Sequence, residues 1–490
     1  MPSTFEPYVQ LVDVTATSAL VAWGGFLLEP CGESWRARRT GETFGVMSEP
    51  VGRAAVEVLD GDGRIVAREA VDDANHVWIE GLEPATTYRY RVVVDGAPWA
   101  GGERHDWAPE ALQPAVRPLV LRLRTHAAAD EPDPVTFIAV GDTGVGLAAG
   151  EDGRRQLAVA RTMQRLADAL DVRFVVMLGD TIYHGPGGPT DQSGAHDDDW
   201  WLTYFQPYRY LVDHLAFYPT AGNHDGSDDE DADDRAQLED NLYLATRFGP
   251  RAGAGRASLD PGLFYTLQVG ALLDLVCIDT TWGAERGEHL FDEPKHRRWL
   301  EEAVASTSDD VVWRVPFSHH PAWSAGPNHA SMGAQIERVV PLYRRGGARL
   351  VLSGHEHNFQ HGRADDLDYV ISGAGGKLDE RPPRRTDEVG TQSWAASAHC
   401  LLVHATPEAL TVVPFGATPP GGQPVPLIRR RSDDIDGRGV IVELTEQGRR
   451  IVEPAMRDHA ETERRLISAL SRDERDAVAT ALGRMMLGPP

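Results

Sequence analysis

Apolar positions fall into two regimes along the chain. Over residues 5–125 they form short alternating runs, at 8–14, 19–23 and 54–59, parted by clusters of Gly, Asp and Pro. A period of two with turn residues at this spacing predicts the strands of an all-β sandwich. The clearest local signal is Gly81-Leu-Glu-Pro-Ala-Thr-Thr-Tyr88-Arg-Tyr-Arg-Val92, a proline turn entering a strand whose tyrosine can hydrogen-bond back over the corner. From residue 135 the runs become continuous, at 135–140, 174–178, 272–278, 311–315 and 349–352, with a strand pair expected around 400–414. Such runs predict strands buried on both faces. Between the first two, Val159, Met163, Leu166 and Leu170 fall on one helical face. The pattern predicts an all-β domain over 1–128, an Ala-, Asp- and Pro-rich linker at 126–134, and a layered α/β domain over 133–417.

Composition narrows the class. A chain of 490 residues exceeds one ordinary core, and 41% hydrophobic with 25% charged residues is the balance of a soluble globular enzyme. No apolar run approaches the roughly 18 residues of a membrane span. The start, MPSTFEPYVQ, shows no signal-peptide pattern, and Cys31, Cys277 and Cys400 are too scattered for a disulfide framework or zinc cage. A cytoplasmic location is expected, with secretion as the alternative. The net charge of −26 repels nucleic-acid backbones and anionic membranes, so neither is an expected partner. Residues 429–490 hold 12 arginines and 12 acids, so the whole excess lies before them and the tail reads as a separate piece.

The chemistry stands after the strands, where open α/β sheets bind ligands. The first strand leads to Gly-Asp142-Thr-Gly144 and the second to Gly-Asp180-Thr-Ile-Tyr183. Pro219-Thr-Ala-Gly precedes Asn223-His224-Asp225; two further strands lead to Ser318-His319-His320-Pro321 and Gly354-His355-Glu356-His357-Asn358. An Asp after a strand is about as often a helix N-cap as a ligand. Two imidazoles two apart on one extended segment are more telling, and the ordered set at successive strand ends predicts a metal site. Its oxygen and imidazole donors suit iron, manganese or zinc.

This order of motifs resembles the calcineurin-like metallophosphoesterases, and within them the purple acid phosphatases. Where the wider superfamily has a histidine two residues after the first Asp, this chain has Gly144 and offers Tyr183 instead, as purple acid phosphatases do. Pro316, three before His319, departs from the valine common there. The resemblance covers residues 5–417. It implies a four-layer αββα sandwich preceded by a fibronectin type III-like domain. It also implies Asp142, Tyr183 and His357 on one metal, Asp180 bridging, and Asn223, His319 and His355 on the second. Two carboxylates, a phenolate and a bridging hydroxide carry four negative charges, so one trivalent and one divalent ion leave the centre singly positive and attractive to phosphate. Fe(III) plus Fe(II), Zn or Mn is the expected pair.

The function so implied is hydrolysis of small phosphate monoesters, a metal-bound hydroxide attacking phosphorus with His224 as proton donor. The alternative is a metal-dependent phosphodiesterase acting on nucleotides or lipid head groups. His329 matches a substrate-facing histidine of the family; His320 either shares that role or supports a ligand. The acidic runs at 197–199 and 225–234 read as solvated loops, the second near the mouth of the site. The tail resembles the wing and dimerisation helices of MarR-type regulators without a recognition helix, which implies homodimerisation through these helices or an inert remnant.

Overall fold

The computed structural model describes residues 4–31, 34–39, 53–72, 74–99, 119–146, 150–183, 200–225, 232–248, 256–260, 264–282, 289–304, 311–418 and 424–427. The tail expected to be MarR-like, residues 429–490, lies outside them, as does the acidic run at 197–199. No described helix is long and apolar enough to cross a membrane.

The alternating N-terminal runs form two antiparallel sheets. Strands β1 (Thr4–Val14), β2 (Ser18–Cys31) and β3 (Ser34–Arg39) lie side by side, with β6 (His76–Glu80) also on β2. The second sheet runs β5 (Ile65–Val71), β4 (Ala54–Leu59), β7 (Thr87–Val94), β8 (Ala97–Pro98), with β9 (Arg122–Arg124) on β7. Alternate residues point inward, so Val9, Leu11, Val21 and Trp23 meet Val56, Val58, Tyr90 and Val92 in one core. At the proline turn, Tyr88 Oη accepts the N–H of Glu83 at 3.0 Å, the corner bond that the sequence pattern anticipates.

The continuous runs build two mixed sheets. β12 (Ala216–Pro219), β11 (Val172–Met177) and β10 (Val135–Val140) are parallel neighbours, followed by β21 (His399–Ala405), β22 (Leu410–Gly416) and β23 (Val425–Pro426). The second sheet centres on β15 (Leu273–Ile278), β16 (Trp313–Ser318), β17 (Leu350–Ser353) and β19 (Leu367–Ser372), again parallel. Phe137, Ala139, Phe174 and Val176 of the first share one core with Leu273, Leu275, Val315 and Leu352 of the second. Helix α1 (Gly150–Ala169) buries Val159, Met163 and Leu166 and stops one residue before the half-buried Leu170. The strand expected at 311–315 instead occupies 313–318. Val312 is 46% exposed, and burial begins at Val315 and runs through Phe317, so the apolar run starts outside the sheet.

β1 is also bolted to the mixed sheets and the segments around them through buried polar groups. Arg247, fully buried, donates to Phe217 O at 2.6 Å and to Val12 O, with its guanidinium 4.8 Å from the Tyr218 ring. Arg209 pairs with Glu6, Tyr218 Oη donates to Asp13 at 2.5 Å, and Leu11 N–H to Val212 O at 2.6 Å. Tyr8 packs against Phe205 with ring centroids 4.4 Å apart. These contacts converge on β12 and the segment before it, so β1 buttresses the strand that leads to Asn223. A buried charge stripped of its partners is costly, and so is a carbonyl stripped of its donor. Arg247→Ala should lower the unfolding free energy by about 3 kcal/mol, with Arg247→Lys losing less, as measured by chemical denaturation.

Candidate metal centre

The loops that follow β10, β11 and β12 in one sheet and β16 and β17 in the other close on a single point. Gly144 makes the approach possible: a Cβ there would stand 2.2 Å from the carbonyl of Thr181. Gly144 N–H donates to Asp180 O at 3.0 Å and Tyr183 N–H returns to Gly144 O at 2.7 Å, zipping the two loops together. Gly222 plays the same part, since a Cβ there would lie 2.2 Å from Asp180 Oδ1. Asp142, Asp180 and His355 hold φ of 58°, 52° and 69°, in the left-handed region that costs a non-glycine residue about 1 kcal/mol or more.

Two clusters of donor atoms result. In the first, Tyr183 Oη lies 2.7 Å from Asp142 Oδ1 and 3.1 Å from His357 Nε2, which is 3.4 Å from the same carboxylate oxygen. In the second, His319 Nε2 lies 3.1 Å from Asn223 Oδ1, 3.1 Å from His355 Nδ1 and 3.3 Å from Asp180 Oδ1. Asp180 sits where the two meet. Its Oδ1 accepts the N–H of His224 at 3.0 Å, and its Oδ2 is buried without a hydrogen-bond partner among the described residues. His319 Nδ1 is spent on Leu178 O at 2.8 Å, which turns Nε2 toward the cluster.

The electrostatics of the cluster follow from its two carboxylates and the imidazoles around them. Burial pushes the Asp180 carboxyl up, but the imidazoles of His319, His224 and His355 outweigh it and hold the group well below the usual carboxylate range. Burial lowers His319, and Asp180 more than reverses this, to about 10; His357 is raised against burial by Asp142 and Asp180. Burial and the same two carboxylates push the Tyr183 phenol well above 10. His319, His357 and Tyr183 are thus all biased toward holding their protons by the carboxylates beside them, and the cluster calls for positive charge. A donor set of two carboxylates, a phenol, an amide oxygen and three imidazoles, with an orphaned carboxylate oxygen at its centre, fits metal cations. Asp142, Asp180 and His319 form one group with ligand atoms within 4.8 Å of one another, and His319, His320 and His355 form another.

Further histidines rim this centre. The His224 ring packs 4.6 Å from that of Tyr183, and the His329 ring 3.8 Å from that of His355. His320 is buried with Nδ1 3.1 Å from Thr280 Oγ1, while burial, with neighbouring imidazoles, lowers His320 well below its ordinary value and His329 to about 4.

Asp225 corrects the sequence reading of a solvated loop. It is buried, accepting from Thr181 N–H at 2.9 Å, Ile182 N–H at 3.2 Å and Gly222 N–H at 2.8 Å, and so it splints the Asp180 loop to the Asn223 loop. Two of these bonds come from the Asp180 loop, 44 and 43 residues away in the chain, and a charge count does not register such a partnership. Residues 226–231 lie outside the described set. Sequence reasoning also passed over Lys377, whose Nζ lies 4.9 Å from the centre of the Tyr183 ring, and Glu356. The run Gly373-Ala-Gly-Gly376 before Lys377 was the available signal.

Residues 135–359 match the calcineurin-like phosphoesterase family. Mouse (Mus musculus) tartrate-resistant acid phosphatase type 5 is 26% identical over 277 residues, covering 53% of this chain and 77% of that protein. Purple acid phosphatase 17 of Arabidopsis thaliana is 24% identical over 261 residues, covering 50% and 69%. Among solved structures, a purple acid phosphatase from yellow lupin (Lupinus luteus) seeds superposes with TM-score 0.58 at 13% identity, over 86% of this chain and 73% of that one. PhoD superposes with TM-score 0.55 at 14% identity, over 93% and 98%. The protein is therefore an enzyme of the metallophosphoesterase class. Within that class its homology runs to the purple acid phosphatases.

Two outcomes follow from the site. Asp225→Ala should free both loops and lower the metal content of purified protein severalfold, read by elemental analysis, with a smaller loss of thermal stability. Because His319 is raised to about 10, metal-free protein near neutral pH carries protons that cations must displace. Loading should release acid into weakly buffered solution, and affinity should rise about tenfold per pH unit for each proton released. Loading without acid release would contradict this charge assignment.

Proposed function

We propose that the protein hydrolyses phosphate monoesters at a binuclear metal centre of the purple acid phosphatase kind. The observation that carries this reading is the place of Tyr183 Oη, between Asp142 Oδ1 and His357 Nε2. Burial and two carboxylates oppose ionisation of that phenol, so a strongly charged cation is what would hold it as a phenolate. Fe(III) suits that position, with Fe(II), Zn or Mn beside it. Asp142, Tyr183 and His357 are assigned to the first ion, Asn223, His319 and His355 to the second, and Asp180 to both. When bound, the pair would supply Lewis-acid charge and a water of lowered pKa.

The chain's own residues do the rest. Asp180 Oδ1 ties down the His224 backbone, and the Tyr183 ring supports its imidazole. His224 is thereby the group we assign to protonate the leaving alkoxide. His329, lodged on the His355 ring, is assigned to the phosphoryl oxygens. His320, with one ring nitrogen on Thr280, is assigned to orienting His355, from whose ring it stands 4.3 Å. The net charge of −26 favours small substrates over polyanions. The N-terminal sheet pair is read as a fibronectin type III-like module, and the catalytic sheets with their helices as the four-layer αββα sandwich.

The reading is tested by kinetics and colour together. Aryl phosphate should turn over at least tenfold faster than the matching diester, and chelation should abolish turnover until metal is restored. With iron bound, a tyrosinate charge-transfer band should appear and vanish in Tyr183→Phe. A colourless, active Tyr183→Phe protein that prefers diesters would replace this reading with the diesterase one.

A further inference from the structure

A chain of hydrogen bonds outside the donor clusters ends on His329. Asp379 N–H is anchored to His357 O at 2.8 Å, and the Asp379 carboxylate accepts from Arg381 Nε at 2.9 and 3.1 Å. Arg381 Nη2 in turn donates to Asn328 Oδ1 at 2.7 Å, and Asn328 Nδ2 lies 3.3 Å from His329 Nε2. The backbone is held from the other side, where the buried Glu356 accepts the N–H of Asn328 at 3.4 Å and of His329 at 2.6 Å. Asn328, Asp379 and Arg381, with His357, line a cleft of about 510 Å³ beside the first cluster.

The direction of every bond in this chain follows from the inventory of donors. A guanidinium has donors and no acceptor, so the Asn328 atom that meets Arg381 must be the carbonyl oxygen. The amide nitrogen then faces His329, and since it has only hydrogens to offer, Nε2 must supply the lone pair. The neutral ring carries its hydrogen on Nδ1, for which there is no protein partner among the described residues. We propose that Arg381 and Asn328 are positioning residues that fix this tautomer, so that His329 meets the phosphoryl group as a hydrogen-bond donor from Nδ1 and leaves proton delivery to His224. The inference rests on the reading above in taking His329 to face the substrate. It adds two residues and a division of labour that the ligand set does not contain.

The test uses the full-length, metal-loaded enzyme, a series of aryl phosphates with leaving groups of graded acidity, and inorganic phosphate as the binding probe. Asn328→Ala and Arg381→Ala should each lower kcat/KM and weaken phosphate binding by about tenfold, the worth of one oriented hydrogen bond to a charged group. Neither should alter the dependence of rate on leaving-group acidity, whereas His224→Ala should steepen it. Asn328→Asp, whose carboxylate accepts from Arg381 and calls for an N–H on Nε2, should be worse than Asn328→Ala. In a His329→Ala background the Asn328 substitutions should cost nothing further. Unchanged phosphate affinity in both alanine variants would overturn the proposal, as would a changed leaving-group dependence or a loss matched by lost metal. Should wild type fail to turn over aryl phosphates, the functional reading falls, while phosphate titration of the same variants still decides the relay.

Discussion

Everything near the centre of this protein is arranged around an excess of lone pairs. Asp142, Asp180, Asn223, His319, His355, His357 and Tyr183 bring oxygen and nitrogen atoms to within hydrogen-bond reach of one another in a place largely closed to water. Such an arrangement repels itself unless positive charge is supplied. The carboxylates bias His319, His357 and Tyr183 toward their protonated forms, and one oxygen of Asp180 still lies buried without a hydrogen-bond partner among the described residues. The left-handed backbone at three of these residues, the glycines that let loops cross at close range, and the Asp225 splint all serve to keep the donors together against that repulsion.

Gly144 and Tyr183 depend on each other. A side chain at 144 would strike Thr181 and push away the loop that carries the tyrosine. Without one, the two loops exchange backbone hydrogen bonds and the phenol reaches Asp142. One position thus gives up a side chain so that a more distant residue can occupy the same part of the site.

The donor residues were legible in the sequence because their spacing follows the strands. An apolar run followed closely by Asp, His or His-x-His puts the polar residue beyond the end of a buried strand, and four such runs converge with β12, which leads to Asn223, when the sheets pack. Asp225, Glu356 and Asn328 were not legible in this way. Their work is to receive or orient hydrogen bonds, mostly with residues brought near by folding, and a motif that marks its ligands does not show what the residues beside them will hold. The start of β16 was misplaced for a related reason: Val311 and Val312 are apolar yet lie outside the sheet, and hydropathy alone does not register where pairing begins.

The docking of β1 was likewise hidden, since Arg247, Arg209, Glu6 and Asp13 are charged residues that no local pattern marks for burial. That joint bears on how such a chain can change over generations. Arg247 is held by carbonyls of β12 and β1, so a recombined gene that kept the mixed sheets without β1 would inherit a cation buried for a partner it no longer has. Each strand therefore restrains the drift of the other. The sandwich, remote from any chemistry, is held to its sequence by the strand that leads to Asn223.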